Sequence, residues 1–264
     1  MPSERASILM YHNIGIPPKG AKLRSLYVTP RMFCFQMWYL KKAGFQVVSL
    51  NEILRFARED KNASGGKQKK QKRLISLTFD DGFLDFYENA FSVLKKYGYP
   101  ATVFVVSGLA GGENLWDAGQ LGVRKKLMDW EKIKILRENG ITIGAHTRTH
   151  PKLSSLPPED VKKEVHGSMA EIEEHTGEAA DFFCYPYGDF NDSAVREVKK
   201  AGFLGAVSVA RGFVSRGDDP FKLKRIPVRL NTWPLSFIYK LHSDYEAKKG
   251  GEIKKGRQLE KGGA

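Results

Sequence analysis

The chain has 264 residues, 41% of them hydrophobic, and a formal net charge of +13. That much apolar surface supports one large α/β domain and excludes a disordered chain. Two cysteines, Cys34 and Cys184, exclude a disulfide-stapled scaffold, and no run is apolar enough to span a bilayer.

Short apolar runs alternate with longer amphipathic ones along the chain. SILMYHNI (7–14) reads as a strand. Residues 29–45 read as a helix, with Thr29 as N-cap, Pro30 at the first helical position and Gly44 near the stop; Cys34 falls inside this run and is expected in the core. VVSL (47–50) is a strand and NEILRFARE (51–59) a helix. After a basic loop, LISLTFDDG (74–82) is a buried strand ending in two aspartates. The pattern repeats as helix 85–98, strand 101–108, helix 129–140, strand 141–147 and helix 157–177. Strand 182–188, helix 191–202, strand 205–210 and strand KRIPV (224–228) follow, and WPLSFIYKLH (233–242) closes as an amphipathic helix. Such alternation with short links predicts a parallel sheet, and about seven strands predict closure into a barrel. No strand is followed by a Gly-rich phosphate loop, which removes the main support for nucleotide binding.

The positive charge is partly local, in GGKQKKQKR (65–73) and EAKKGGEIKKGRQLEKGG (246–263). Residues 1–245 are expected to form one domain with a basic loop at 60–73, followed by a flexible basic tail at 246–264. Neither patch interleaves aromatics with its charges, so specific nucleic-acid binding is not expected. An anionic cell-wall or membrane surface is the macromolecular partner these patches suit. The N-terminus MPSERASILMYHN has no long apolar stretch of a signal peptide, so the cytoplasm is the default compartment. An exported or envelope-associated setting stays open, as does the oligomeric state.

Chemically capable side chains appear where strands end. His12 follows ILMY, Asp80 and Asp81 follow LTF, His146 and His150 follow ITIGA, and Tyr187 follows CYP. The C-terminal rim of a parallel barrel is where sites are built, so these groups should converge. In HTRTH (146–150), two imidazoles at i and i+4 meet on one face if the segment turns helically. A chance pair of loop histidines is the plain alternative. Adding Asp81 makes a three-ligand site with an open position, as in catalytic zinc centres. A cation would also offset the repulsion of two adjacent carboxylates, leaving Asp80 to act as a base. The competing reading is that Asp80 or Asp81 caps the helix starting near Asp85; together with HTRTH, the metal reading is favoured.

TFDDG (78–82), HTRTH (146–150) and CYPYGDF (184–190) resemble, in order and spacing, the leading motifs of the polysaccharide deacetylases. These are the NodB-homology group, or carbohydrate esterase family 4. YHNIG (11–15) is similar to the YH motif of the branch that includes poly-N-acetylglucosamine deacetylases. The resemblance implies a distorted (β/α)7 barrel of NodB-homology type that removes acetyl groups from an N-acetylated saccharide through metal-activated water. It implies Asp80 as general base, Asp81, His146 and His150 as metal ligands, and the Tyr187 backbone N–H at the oxyanion, with Pro186 beside it. The metal would be zinc by default, with cobalt or nickel as substitutes.

The general acid is open between His12, at the end of the first strand, and His242, in a late leucine–histidine pair; His12 is preferred. Many members carry an arginine where this chain has Cys184, and Arg225 is the residue that can supply that charge from another strand. Cys184 itself sits in an apolar strand and is expected to be inert. Trp116 and Trp130 are candidates to stack on sugar rings, and Arg148 and Asp189 to touch substrate. Rival functions are removal of O-acetyl groups from a polymer such as xylan, and a carbohydrate-binding barrel with weak turnover.

Overall fold

The computed structural model describes residues 5–59, 73–117, 119 and 122–252. The basic loop expected at 60–73, apart from Arg73, and residues 253–264 of the expected tail lie outside the described residues.

Seven parallel strands form the barrel: β1 (Arg5–Tyr11), β2 (Leu74–Phe79), β3 (Thr102–Val105), β4 (Thr142–Ala145), β5 (Phe182–Cys184), β6 (Gly205–Arg211) and β7 (Leu223–Pro227). Consecutive strands pair in order from β2 to β7, and β1 bonds both β2 and β7, which closes the ring. The closure is uneven. A single residue pair, Ala145 with Phe183, joins β4 to β5, and the β6–β7 register shifts between Leu223 and Arg225. A distorted (β/α)7 barrel is therefore the fold, as expected from the alternating pattern.

Strand periodicity sorts the two faces. On β2, Ile75, Leu77 and Phe79 point out into the layer shared with the helices. Ser76 and Thr78 take the other face, and Thr78 bonds to interior Arg225. The interior is small and plugged. Ala6, Ile8, Phe104, Phe182 and Val207 pack there with Leu50 and Leu54 of helix α2 (Leu50–Arg58).

Helix α1 (Pro30–Lys42) starts as its sequence requires: Thr29 accepts the Met32 N–H, with Pro30 at the first position. It buries Phe33, Gln36, Met37 and Leu40, and this spacing turns Cys34 outward. The expectation of a core cysteine is corrected by the helical phase. The strand expected at 47–50 is also cut short. Ser49 and Glu52 form a reciprocal capping box that starts α2 at Leu50, leaving only Gln46–Val47 as strand.

Helices α3 (Phe91–Tyr97), α4 (Trp130–Glu138), α5 (Pro158–Thr176), α6 (Asp192–Lys200) and α7 (Pro234–His242) complete the outer layer. The segment expected to be flexible from 246 differs in its first part. Residues 245–252 are helical, and Glu246 is fully buried between Arg211 and Lys240. A carboxylate that satisfies two cations is held in place rather than frayed.

Candidate active site

Asp80 continues the inward face of β2 after Ser76 and Thr78, and its N–H still bonds the Tyr11 carbonyl. Asp81 would then point outward among apolar side chains. It does not, because its backbone is left-handed (φ 74°), followed by Gly82 at φ 69°. A side chain at Gly82 would press on Val105 at 3.3 Å, so glycine suits this turn twice over. The bend brings both carboxylates into one pocket, and neither caps the helical turn Phe86–Ala90 that precedes α3, whose N-cap Asp85 has no side-chain cap bond.

The HTRTH segment converges by a different route from the one expected. It forms no helical turn. Thr147 (φ 65°) and His150 (φ 64°) are both left-handed and fold the loop back on itself. The His146 and His150 rings meet edge to face at 4.7 Å, and their Nε2 atoms lie 3.4 and 3.5 Å from Asp81 Oδ1. Thr147 and His150, with Asp81 and Tyr187, are the four non-glycine residues at positive φ among those described, and Asp81, His150 and Tyr187 line the pocket. Left-handed backbone at bulky residues costs of order 1–3 kcal/mol each, so the surrounding packing must hold it.

Part of that hold comes from α5. Glu164 accepts the Arg148 and Thr149 N–H groups at 2.8 and 2.9 Å and the Thr149 hydroxyl at 2.7 Å. Arg148 lies along α5, where its Cδ would be 2.4 Å from a Cβ at Gly167, and its Nε donates to Glu171 at 2.7 Å. Arg148 is thus docked on a helix, which is not the substrate contact considered for it. Asp189 accepts from the Ser154 N–H and hydroxyl, again within the protein.

Asp80 is gripped by Arg225. The guanidinium donates to Oδ1 at 2.7 Å and to Oδ2 at 2.8 Å, while its Nε donates to the Ser208 carbonyl at 2.9 Å. Both residues are essentially unexposed. Burial alone would push the Asp80 carboxyl up, but the Arg225 charge and its bonds outweigh it and hold Asp80 below the usual carboxylate range. Asp81 is held low in the same way, burial being outweighed by its bonds to His146 and His150. Cys184 Sγ sits 3.3 Å from the same guanidinium. The thiol occupies the third-motif position where an arginine was expected, and Arg225 enters from β7 instead.

His12 stands at the end of β1 with Nε2 3.8 Å from Asp80 Oδ2. The residues after it are pinned: Asp85 accepts the Ile14 N–H, and Lys125 both pairs with Asp85 and donates to Asn13. Tyr187 lines the pocket and packs edge to face on His150 at 4.6 Å. Pro186 is buried beneath the turn and is not among the lining residues. Trp116 stacks on His150 at 4.6 Å, beside the pocket. Trp130 stacks instead on His175, at the end of α5.

His242 is not in this site. Its Nε2 pairs with the Tyr39 hydroxyl at 2.9 Å and its ring packs on Phe45. The next residues, Ser243 and Asp244, bind Arg5, the first residue of β1. Helix α7 runs back from the rim, so its last residue ends at the opposite end of the barrel. Sequence reasoning also missed Leu23, Leu26, Tyr185 and Val209, which complete the pocket wall. No motif marks Leu23, Leu26 or Val209, nor Glu164 on its helix; Tyr185 lies inside CYPYGDF.

Asp81, His146 and His150 offer three ligand atoms within 4.8 Å of one another. The donor chemistry fits a divalent ion: one carboxylate, two imidazoles and no competing cation. His146 Nδ1 lies 2.7 Å from the Cys184 carbonyl, which takes the N–H and leaves the Nε2 lone pair, on the Asp81 side, to hold an ion. The second grouping, Asp80 with His146 and Cys184, fits less well, because Arg225 already occupies both Asp80 oxygens and the thiol.

A closed parallel barrel with such a cluster on its C-terminal rim has the form of a metal-site hydrolase. Residues 67–206 match the polysaccharide deacetylase family. The Bacillus subtilis (strain 168) protein YxkH is 29% identical over 221 residues, 84% of this chain and 70% of that one. A Staphylococcus aureus poly-β-1,6-N-acetyl-D-glucosamine N-deacetylase is 26% identical over 208 residues, 78% of this chain and 69% of that one. Among solved structures, the Streptococcus pyogenes deacetylase PplD, in complex with acetate, superposes with a TM-score of 0.74 at 25% identity, covering 90% of this chain and 99% of that one. IcaB from Ammonifex degensii shares the fold, with a TM-score of 0.74 at 23% identity over 91% of this chain and 98% of that one. The chain belongs to the polysaccharide deacetylase family, and it is a hydrolase. Among the described residues no helix is long and apolar enough to cross a membrane.

Proposed function

We propose that the protein removes N-acetyl groups from an N-acetylated saccharide of the N-acetylglucosamine type. The observation that carries this reading is the division of the two adjacent carboxylates. Asp81 faces two imidazoles, while Asp80 faces an arginine and His12. In this reading one would hold a cation and the other would take a proton.

Asp81, His146 and His150 would hold the divalent ion, zinc by default, with cobalt or nickel chemically suited to the same donors. Bound there, the ion supplies Lewis-acid polarisation of the acetyl carbonyl and acidifies water. Asp80, kept ionised and oriented by Arg225, accepts a proton from the attacking water at its carboxylate. The Tyr187 main-chain N–H, on a left-handed turn at the pocket wall, donates to the oxygen on which charge develops. His12 delivers a proton to the departing nitrogen, because an amine leaves poorly unless protonated. Leu23, Leu26 and Val209 give the acetyl methyl an apolar wall and exclude water around it. Trp116, stacked beside the site, offers a face to a sugar ring.

The test is acetate release from N-acetylglucosamine oligomers and from acetylated xylan by metal-loaded protein. Turnover of the oligomers with little release from xylan supports the reading. The reverse preference would make the protein an O-acetyl esterase, and saccharide binding without release a binding barrel.

A further inference from the structure

The pocket around Asp80 and Asp81 is small, about 220 Å³, enough for an acetamido group with part of one sugar. The rest of a saccharide chain must lie outside it. A larger cavity of about 530 Å³ opens nearby. Arg211, the last residue of β6, and Pro227, the last of β7, reach it from the barrel, and Arg229 and Asn231 from the loop beyond. Ser236, Tyr239 and Lys240 of α7 form the opposite side.

A backbone contact links the segments that line the two cavities. The Leu230 N–H donates to the Ser25 carbonyl at 3.2 Å. Leu23 and Leu26, on either side of Ser25, line the catalytic pocket; Arg229 and Asn231, on either side of Leu230, line the second cavity. On β6 the same step is made along one strand. Val209 lines the first cavity and Arg211 the second, about 7 Å further on. This contact and this strand join the surroundings of the catalytic pocket to those of the second cavity, where a chain leaving the pocket can run.

The lining charge is unbalanced. Glu246, fully buried, accepts from Arg211 Nε at 2.7 Å and from Lys240 Nζ at 2.6 Å. Among the described residues no carboxylate pairs with Arg229, so three cations share one anion. Asn231 and Ser236 add neutral hydrogen-bonding groups, and Tyr239, 58% exposed, adds a ring face. A half-open cavity of this size with a small cationic excess suits a single anionic substituent rather than an extended polyanion.

We propose that this cavity is a subsite for an anionic group carried by the saccharide chain whose acetyl group enters the catalytic pocket. Phosphate and carboxylate substituents share the required chemistry. The inference rests on the deacetylase reading for the saccharide, while the cavity and its charge stand independently of it.

The experiment compares three N-acetylglucosamine pentamers on metal-loaded protein: unsubstituted, carrying one 6-phosphate, and carrying one lactyl carboxylate. A charged pentamer should show a KM about fivefold lower than the neutral one, and the gap should shrink as salt rises. Arg229→Glu should abolish the gap by raising KM for the charged pentamers more than for the neutral one, and the arm with the larger gap identifies the anion. Equal KM for all three in wild-type protein, or equal loss on charged and neutral pentamers in the variant, overturns the subsite. Binding is measured in parallel by calorimetry on Asp80→Asn protein with and without Arg229→Glu. Charge-dependent binding that Arg229→Glu removes, with no acetate release by wild-type protein, would leave the subsite standing and refute the deacetylase reading. Acetate release without any charge dependence would do the opposite.

Discussion

Arg225 and Asp80, 145 residues apart in the chain, meet through two parallel hydrogen bonds of 2.7 and 2.8 Å in the barrel interior. The pair fixes both the charge and the orientation of the carboxylate proposed as the base. Arg225→Met should lower kcat by about 100-fold or more, since a freed carboxylate loses its aim. It should also cost stability, on the order of 3–5 kcal/mol, because Asp80 stays buried without its partner. Arg225→Lys keeps charge but not the two-point grip. Its expected signature is a kcat loss with unchanged metal content, read by steady-state kinetics and elemental analysis.

Asp81→Ala and His150→Ala should each abolish stoichiometric metal binding, measured on dialysed protein. Asp80→Asn should keep the metal and lose turnover. Full activity in that variant would remove Asp80 from the base role.

Glu164 holds the Arg148 and Thr149 amides between His146 and His150, two of the proposed ligands. Glu164→Ala should weaken zinc affinity by about tenfold, the lower range for residues that support a ligand shell. Competition with a chromogenic chelator reads this directly. An unchanged affinity would show that the left-handed loop holds its shape without the clamp.

His12→Ala should impair an amide substrate far more than an activated ester, whose leaving group needs little protonation. Loss of similar size on both substrates would argue against proton delivery by His12.

Glu246 makes a pH prediction about stability. Burial would raise its carboxyl, but bonds to Arg211 and Lys240 outweigh this and hold it below its ordinary value. A lowered folded-state pKa means that the contribution is complete above the unfolded value of about 4.3 and fades as pH falls through the folded value. Glu246→Gln should therefore destabilise by about 2 kcal/mol at neutral pH, with the difference from wild type shrinking in acid. Urea denaturation of both proteins at neutral and acidic pH measures the closing gap.

The alternation of strands and helices, the closed barrel and the positions of Asp80, Asp81, His146 and His150 were all legible in the chain. Periodicity and caps are local, and the motifs fall where strands end. The local geometry was less legible. HTRTH suggested a helical turn, and the loop uses left-handed Thr147 and His150 instead. Nothing in that pentapeptide favours positive φ; Glu164 and Glu171 of α5 bond the loop in that shape. His242 and Cys34 were misjudged for a related reason. Their type suggested a role, but helix direction and helix phase decided where they went.

The sequence by itself determined which residues can do chemistry and that strand ends would gather them, because side-chain type and hydrophobic period are properties of a short stretch. Only the tertiary structure decided that Asp80 and Asp81 face the same pocket. Neighbours on a strand point apart, and the left-handed turn at Asp81 that overrides this is held by packing against Val105 and by partners from distant strands. It also decided that Arg225 reaches Asp80 beside Cys184, a contact set by barrel closure rather than by any spacing in the chain.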